Sequence, residues 1–278
     1  SYEFCRRIIA NEKRESTIAD AFRGIIRNPA TADDYSSMLN RAGFYDDSSY
    51  TVISLSILRK SVSITESVVR TTDMSLWRML KKSGNHSSLF MKEGDLVAVR
   101  QNCSEEEIVM FCELLRPIAE QSADTEIYIG VSESLRGFAE ISQAYEQSYA
   151  AMLTGRIKGK ERVFYRDIGL MKLIFGVKDK MILSSFAEEN LGVLHRYDSE
   201  KNTDYCSILR KYLELNGSVL EAAAETGVHR NTINYKIRAI REILGRELDD
   251  HTKSMLMLAY LIEDVLDIYD NLNGGNKQ

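Results

Sequence analysis

A chain of 278 residues with 44% hydrophobic and 28% charged side chains is globular rather than disordered, and is longer than one ordinary core needs, so two domains are expected. The net charge of −5 excludes indiscriminate nucleic-acid binding by the whole surface, but leaves room for a local basic element. Four scattered cysteines (Cys5, Cys103, Cys112, Cys206) form neither a disulfide framework nor a zinc site and suit a reducing, cytoplasmic setting. No secretory signal opens the chain, and no apolar stretch reaches the roughly 18–20 residues that span a bilayer, so no membrane partner is expected. The start at Ser1, already inside a charged helical pattern, points to a fragment of a longer protein.

Residues 1–45 predict a helical connector, with helices over Tyr2–Ile9, Ser16–Ile26 and Thr31–Ala42. Asn28-Pro29 separates the last two, because proline disfavours helix in the residue before it, and Gly43 stops the third. From Tyr50 to Leu58, alternation and β-branched residues predict a strand. A helix over Asp73–Lys82 holds the single tryptophan, Trp77. Ser87–Met91 and Leu96–Arg100 are strands joined by a hairpin at Lys92-Glu93-Gly94-Asp95, where Glu93 and Asp95 should face water. Ser104 caps a helix reaching to about Ser122, with Glu105, Glu106 and Glu107 in its first turn, where carboxylates suit the dipole. Strand Glu126–Val131, helix Phe138–Leu153 and strand Arg162–Tyr165 complete an α+β domain over residues 46–168, a sheet with helices on one face.

Beyond Gly169 the strand signals cease. Met181–Leu191, Thr203–Leu215, Ser218–Glu225, His229–Leu244 and Asp250–Tyr269 predict an all-helical domain over 169–278, ending in a mobile polar tail from Asn271. The last helix is apolar around much of its circumference (Met255, Leu256, Leu258, Leu261, Ile262, Val265), so its own domain or a partner must cover it.

Within that domain Val219–Arg238 reads as a helix-turn-helix. Ala223 supplies the small residue where two helices pass closely, Gly227 the positive φ of the turn, and Ile233 the apolar lock. Val228 plugs the turn into the core. In the second helix Ile233, Ile237, Ile240 and Leu244 form one stripe, while Asn231, Tyr235 and Arg238 lie opposite, flanked by Thr232 and Asn234. Those are hydrogen-bonding types suited to base edges and phosphates. Between His229 and Arg241 stand Arg230, Lys236, Arg238 and Arg241 and no carboxylate, within an acidic chain. Most surface helices mix signs, because mixed pairs stabilise them; a stretch without acids favours phosphate through counterion release. The same Ala and Gly spacing also occurs in ordinary helical hairpins.

The stretch Val228–Asp250 (VHRNTINYKIRAIREILGRELDD) closely resembles the C-terminal domain of the PucR/CdaR family of bacterial transcription regulators. Asn190–Asp198 (NLGVLHRYD) and Leu209–Gly217 (LRKYLELNG) are similar to the helices preceding it in that family. Upstream, Ile127–Val131 (IYIGV) followed by Ala144–Met152 (AYEQSYAAM) resembles the later half of a GGDEF-type domain. The resemblance implies a ferredoxin-like, degenerate GGDEF module serving as relay or dimerisation element, ahead of a DNA-binding domain.

The hairpin Lys92–Leu96 lacks the glycine pair and the adjacent acids of a working diguanylate cyclase, and two-metal phosphoryl chemistry needs a dense carboxylate cluster. His86, His195, His229 and His251 show no metal-ligand spacing, and Gly155–Lys160 lacks the order of a phosphate loop. No enzymatic activity, cofactor or metal is therefore expected. The sequence supports a DNA-binding regulator, a homodimer on double-stranded DNA with His229, Arg230, Asn231, Thr232, Asn234, Tyr235, Lys236, Arg238 and Arg241 at the interface. The other readings are a metabolite- or nucleotide-sensing protein, whose effector is unidentified, and an interaction scaffold without DNA.

Overall fold

The computed structural model describes residues 2–59, 62–71, 86–120 and 125–274, and the chain divides into two units, Ser1–Lys172 and Leu173–Gln278. The helix expected around Trp77 lies outside the described residues.

At the N-terminus, α1 (Tyr2–Arg27) is one helix where two were expected. The polar run Asn11-Glu12-Lys13-Arg14 holds neither glycine nor proline, so nothing stops the helix there. It ends at Asn28, whose Oδ1 accepts a hydrogen bond from the Ala30 amide at 3.2 Å and starts a single 3-10 turn, Pro29–Thr31. Helix α2 (Ala32–Ala42) stops at Gly43, which takes a φ of 96°. Residues set apart above as a connector are buried in the core of the first unit: Phe22, Ile25, Leu39 and Phe44 pack with Tyr50, Val52, Phe138 and Ala144.

The sheet contains β1 (Ser49–Arg59), β2 (Val62–Ser63), β3 (Ser87–Lys92), β4 (Asp95–Gln101), β5 (Glu126–Val131), β6 (Leu135–Arg136) and β7 (Arg162–Phe164). Its main path runs β3-β4-β1-β5-β7, antiparallel except for the parallel pair β5 and β7. Helices α3 (Thr65–Thr71), α4 (Glu105–Glu120) and α5 (Ile141–Lys158) complete the unit. The expectation of helices on one face is corrected, because both faces are covered. Tyr50 and Val52 pack with α1, α2 and α5, while Ile53, Leu55 and Ile57 pack with Val68 of α3 and Ile108, Phe111 and Leu115 of α4.

What disguised the second covered face is the serine at alternate positions of β1. Ser54 and Ser56 are buried, and the Ser54 hydroxyl lies 2.7 Å from that of Ser148 on α5. Gly130 of β5 serves the same approach: a Cβ there would stand 1.9 Å from the Ser148 carbonyl oxygen and 2.3 Å from the Met152 amide nitrogen. Small residues thus let α5 lie directly on the sheet backbone. On the other face α4 begins with a reciprocal cap, as the Ser104 amide donates to Glu107 Oε2 at 2.8 Å and the Glu107 amide to Ser104 Oγ at 3.3 Å.

The β3–β4 hairpin turns on Glu93 and Gly94, both with positive φ. Glu93 is exposed beside Lys92, as expected, but Asp95 is not: it is 5% exposed. Alternation along β4 puts it on the face of Val97 and Val99, whose side chains are core. Burial pushes its carboxyl up to about 6, against the opposing pull of the Ser56 hydroxyl and the Arg156 guanidinium. A group that binds its proton more tightly when folded stabilises the fold at acid pH, and that contribution is lost as pH rises through about 6. Asp95→Asn should therefore be more stable than the parent at pH 8, by about 3 kcal/mol, with the gap closing towards pH 4. Urea unfolding at both pH values checks this; an equal gap at both would refute the titration.

In the second unit α7 (Lys180–Lys201), α8 (Tyr205–Glu214), α9 (Val219–Thr226), α10 (Arg230–Leu244) and α11 (Asp250–Gly274) follow a short helix α6 (Met171–Gly176) at the boundary. Leu191 and Leu194 of α7, Leu209 and Leu213 of α8, Ile233 and Ile237 of α10 and Leu256 and Ala259 of α11 share one core. The apolar last helix is thus seated within its own unit, on α7 and α8. It continues to Gly274, and the rest of the tail expected from Asn271 lies outside the described residues.

Candidate nucleic-acid interface

The helices that carry the site are joined by polar ties. Asp198, near the end of α7, accepts hydrogen bonds from Thr203 Oγ1 (2.5 Å), the Tyr205 amide (2.9 Å) and the Cys206 amide (2.7 Å). It thereby satisfies backbone donors that open α8. Burial alone would raise its carboxyl, yet the bonds from Cys206, Thr203 and Tyr205 hold it below the usual carboxylate range. Arg210 of α8 makes a two-pronged bond to Asp264 of α11 at 2.8 and 2.7 Å, and Arg246, past the end of α10, donates to Asn190 of α7.

Helix α9 starts at Ser218, whose hydroxyl accepts from the Glu221 amide. Ala223, assigned the close approach of the helix pair from the sequence, is partly buried and packs against the same cluster as the fully buried Ala222. Gly227 ends α9 at a φ of 68°, and nothing lies within 4 Å of where a Cβ would stand. The demand for glycine there is therefore conformational rather than steric. Val228 packs against the core, and His229 caps α10, its Nδ1 accepting from the Asn231 amide at 3.3 Å.

Ile233, Ile237 and Ile240 are buried, and Leu244 is partly so. That orientation leaves Asn231, Thr232, Asn234, Tyr235 and Arg238 exposed together; Tyr235 is 68% exposed. His229, Arg230 and Arg241 are exposed as well. Lys236 differs from the other cations. Its side chain is 18% exposed, and Nζ lies 2.5 and 2.6 Å from the two carboxylate oxygens of Asp204. Arg238 pairs with Glu242 at 3.4 Å and Arg241 with Glu247 at 3.6 Å. Counter-charges for the acid-free stretch therefore come from just beyond its end, at Glu242 and Glu247, and from Asp204 far upstream. Among the described residues Arg230 makes no ion pair.

A second arrangement had no signal in the sequence. His195 of α7 stands with Nδ1 3.3 Å from Cys206 Sγ and Nε2 2.8 Å from Glu263 Oε1 of α11. The line-up is that of a cysteine, a base and an orienting acid, but burial and the Asp198 carboxylate push the Cys206 thiol far above its ordinary value. A sulfur that holds its proton is a donor, not a nucleophile, and the trio ties three helices together. Among the described residues no group of three His, Cys, Asp or Glu side chains is placed to hold a metal ion. No helix among them is long and apolar enough to cross a membrane.

Residues 205–262, from α8 into α11, match the PucR C-terminal helix-turn-helix domain, and residues 27–152 match a GGDEF-like domain. Among curated proteins the chain is similar to the proline-responsive transcriptional activator PutR of Bacillus subtilis (strain 168). The two are 25% identical over 146 residues, 51% of this chain and 36% of that protein, so the chain spans about a third of this relative's length. A solved structure, that of a regulator of polyketide synthase expression from Bifidobacterium adolescentis, aligns with 88% of this chain and 92% of its own at 16% identity and a TM-score of 0.40, too loose a likeness to bear on the site. The chain is thus α+β followed by all-α, with a GGDEF-like domain ahead of a PucR-type helix-turn-helix.

Gly227→Val should lower the stability of the chain by about 1–3 kcal/mol, since a β-branched residue resists positive φ, whereas Gly227→Asn should retain most of it. Thermal unfolding followed by circular dichroism compares the two; equal midpoints for Val and Gly would contradict the strained turn.

Proposed function

We propose that this chain, a GGDEF-like domain joined to a PucR-type helix-turn-helix, is a transcription regulator that binds double-stranded DNA sequence-specifically, with α10 in the major groove. The observation that carries this is the pairing of three buried isoleucines with an exposed face of Asn231, Thr232, Asn234, Tyr235 and Arg238 on a single helix. Asparagine and arginine side chains match the donor and acceptor edges of adenine and guanine, and threonine and tyrosine serve bases or phosphates. Arg230 and Arg241 flank that face and suit phosphate. Lys236 reaches phosphate only by giving up Asp204, which makes its contribution smaller than its charge suggests. His229 caps the helix and stands beside the backbone at its entry point.

One helix-turn-helix buries too little surface for strong specificity, so the functional form is a homodimer on a two-fold-related site. The α+β unit acts as relay or dimerisation module in a non-enzymatic, cytoplasmic regulator. Similarity to an activator described as proline-responsive is in keeping with control by a small effector.

Selection of duplexes from a random pool tests this. The parent chain should enrich a defined sequence. Asn231→Ala and Arg238→Ala should each lose about 1–3 kcal/mol of discrimination at one base position while keeping the parent's thermal midpoint, because both side chains are exposed. An unenriched pool, or variants that unfold many degrees lower, would overturn the assignment.

A further inference from the structure

A cleft of about 170 Å³ opens in the α+β unit where β5 and β7, the parallel pair, reach their carboxyl ends. Ile108 of α4, Val131 of β5 and Phe164 of β7 give it an apolar lining. The polar lining comes from the buried Thr51 of β1 and Ser132, and from Glu133 and the exposed Ser134 of the loop after β5.

The charges of this cleft do not balance. Arg166 and Glu105 are spent on each other, the guanidinium meeting both carboxylate oxygens, at 2.8 and 2.5 Å. Glu133, whose charge also acts on the Arg166 guanidinium at longer range, makes no ion pair of its own among the described residues. Its backbone is fixed, with the amide donating to Gln147 Oε1 at 3.0 Å and the carbonyl accepting from Ser132 Oγ at 2.7 Å. Its carboxylate makes no hydrogen bond among the described residues, and neither does the Thr51 hydroxyl, although Thr51 is only 6% exposed. A carboxylate on a fixed backbone, a sheltered unpartnered hydroxyl and an apolar lining complement a group with several N–H donors, a positive charge and a short hydrocarbon body.

We propose that this cleft binds a small organic cation, an aliphatic amine of about five to eight non-hydrogen atoms, as fits a cavity below the usual range for larger ligands. The ammonium donates to the Glu133 carboxylate and to the Thr51 hydroxyl, and the carbon chain lies on Ile108, Val131 and Phe164. An anion of the same shape meets Glu133 unfavourably, and Arg166 is not free to receive it.

The test is calorimetric titration of the full chain with n-butylammonium chloride, n-butanol and sodium butyrate at matched ionic strength. Butylammonium should bind saturably, and butanol and butyrate at least tenfold more weakly. Glu133→Gln should weaken butylammonium at least tenfold without moving the thermal midpoint, since that carboxylate makes no bond within the fold. Should Glu133→Gln lower the midpoint, Ser134→Leu, at an exposed position on the rim, must block butylammonium by filling the cleft. No saturable binding of butylammonium, equal binding of butyrate, or undiminished binding in these variants would overturn the proposal.

Discussion

Ile233, Ile237 and Ile240 can be buried only if α10 presents one particular side to α8, α9 and α11. Removing each from water is worth about 1.5–3 kcal/mol, more than any exposed ion pair in the helix can offer in opposition. The rest of the helical unit follows from that constraint. Because the isoleucines face inward, Asn231, Tyr235 and Arg238 must face outward, and no polar contact within the unit is needed to hold them there. Gly227 contributes by letting the chain reverse between α9 and α10, and Asp198 by opening α8 at the correct place.

How far this was legible in advance depended on whether a feature is local. The helix-turn-helix was readable because its determinants lie within twenty residues: a left-handed glycine, a stripe at helical spacing, and an acid-free polar face. The hairpin at Glu93-Gly94 was readable for the same reason, as were strand β5 and the cap at Ser104. The burial of Asp95 was misjudged because turn residues are usually solvated, whereas here strand alternation carries the first residue of β4 inward. The second covered face of the sheet was hidden by Ser54, Ser56 and Gly130, which look polar or neutral in sequence but serve close helix packing.

Long-range pairings were beyond reach altogether. Asp204 comes 32 residues before the lysine it holds, and no spacing rule connects them. The same applies to His195, Cys206 and Glu263, brought together from three helices. The Lys236 tie changes how the basic face is weighed. Cations from 229 to 241 look unopposed in sequence, but in the folded unit only part of that charge is available to phosphate, with Arg230 the least committed. Recognition by such a face rests more on hydrogen bonding than on bulk charge, in keeping with an acidic chain.

As proposed, α10 meets the phosphate backbone and base edges of a duplex, and this contact carries the regulator's function. It is tested most directly by titrating binding of a selected duplex against salt, for the parent chain and for Arg230→Ala. The logarithm of the association constant should fall linearly with the logarithm of salt concentration, and the variant should lose about one from the slope. Binding insensitive to salt, or a slope untouched by removing Arg230, would contradict it.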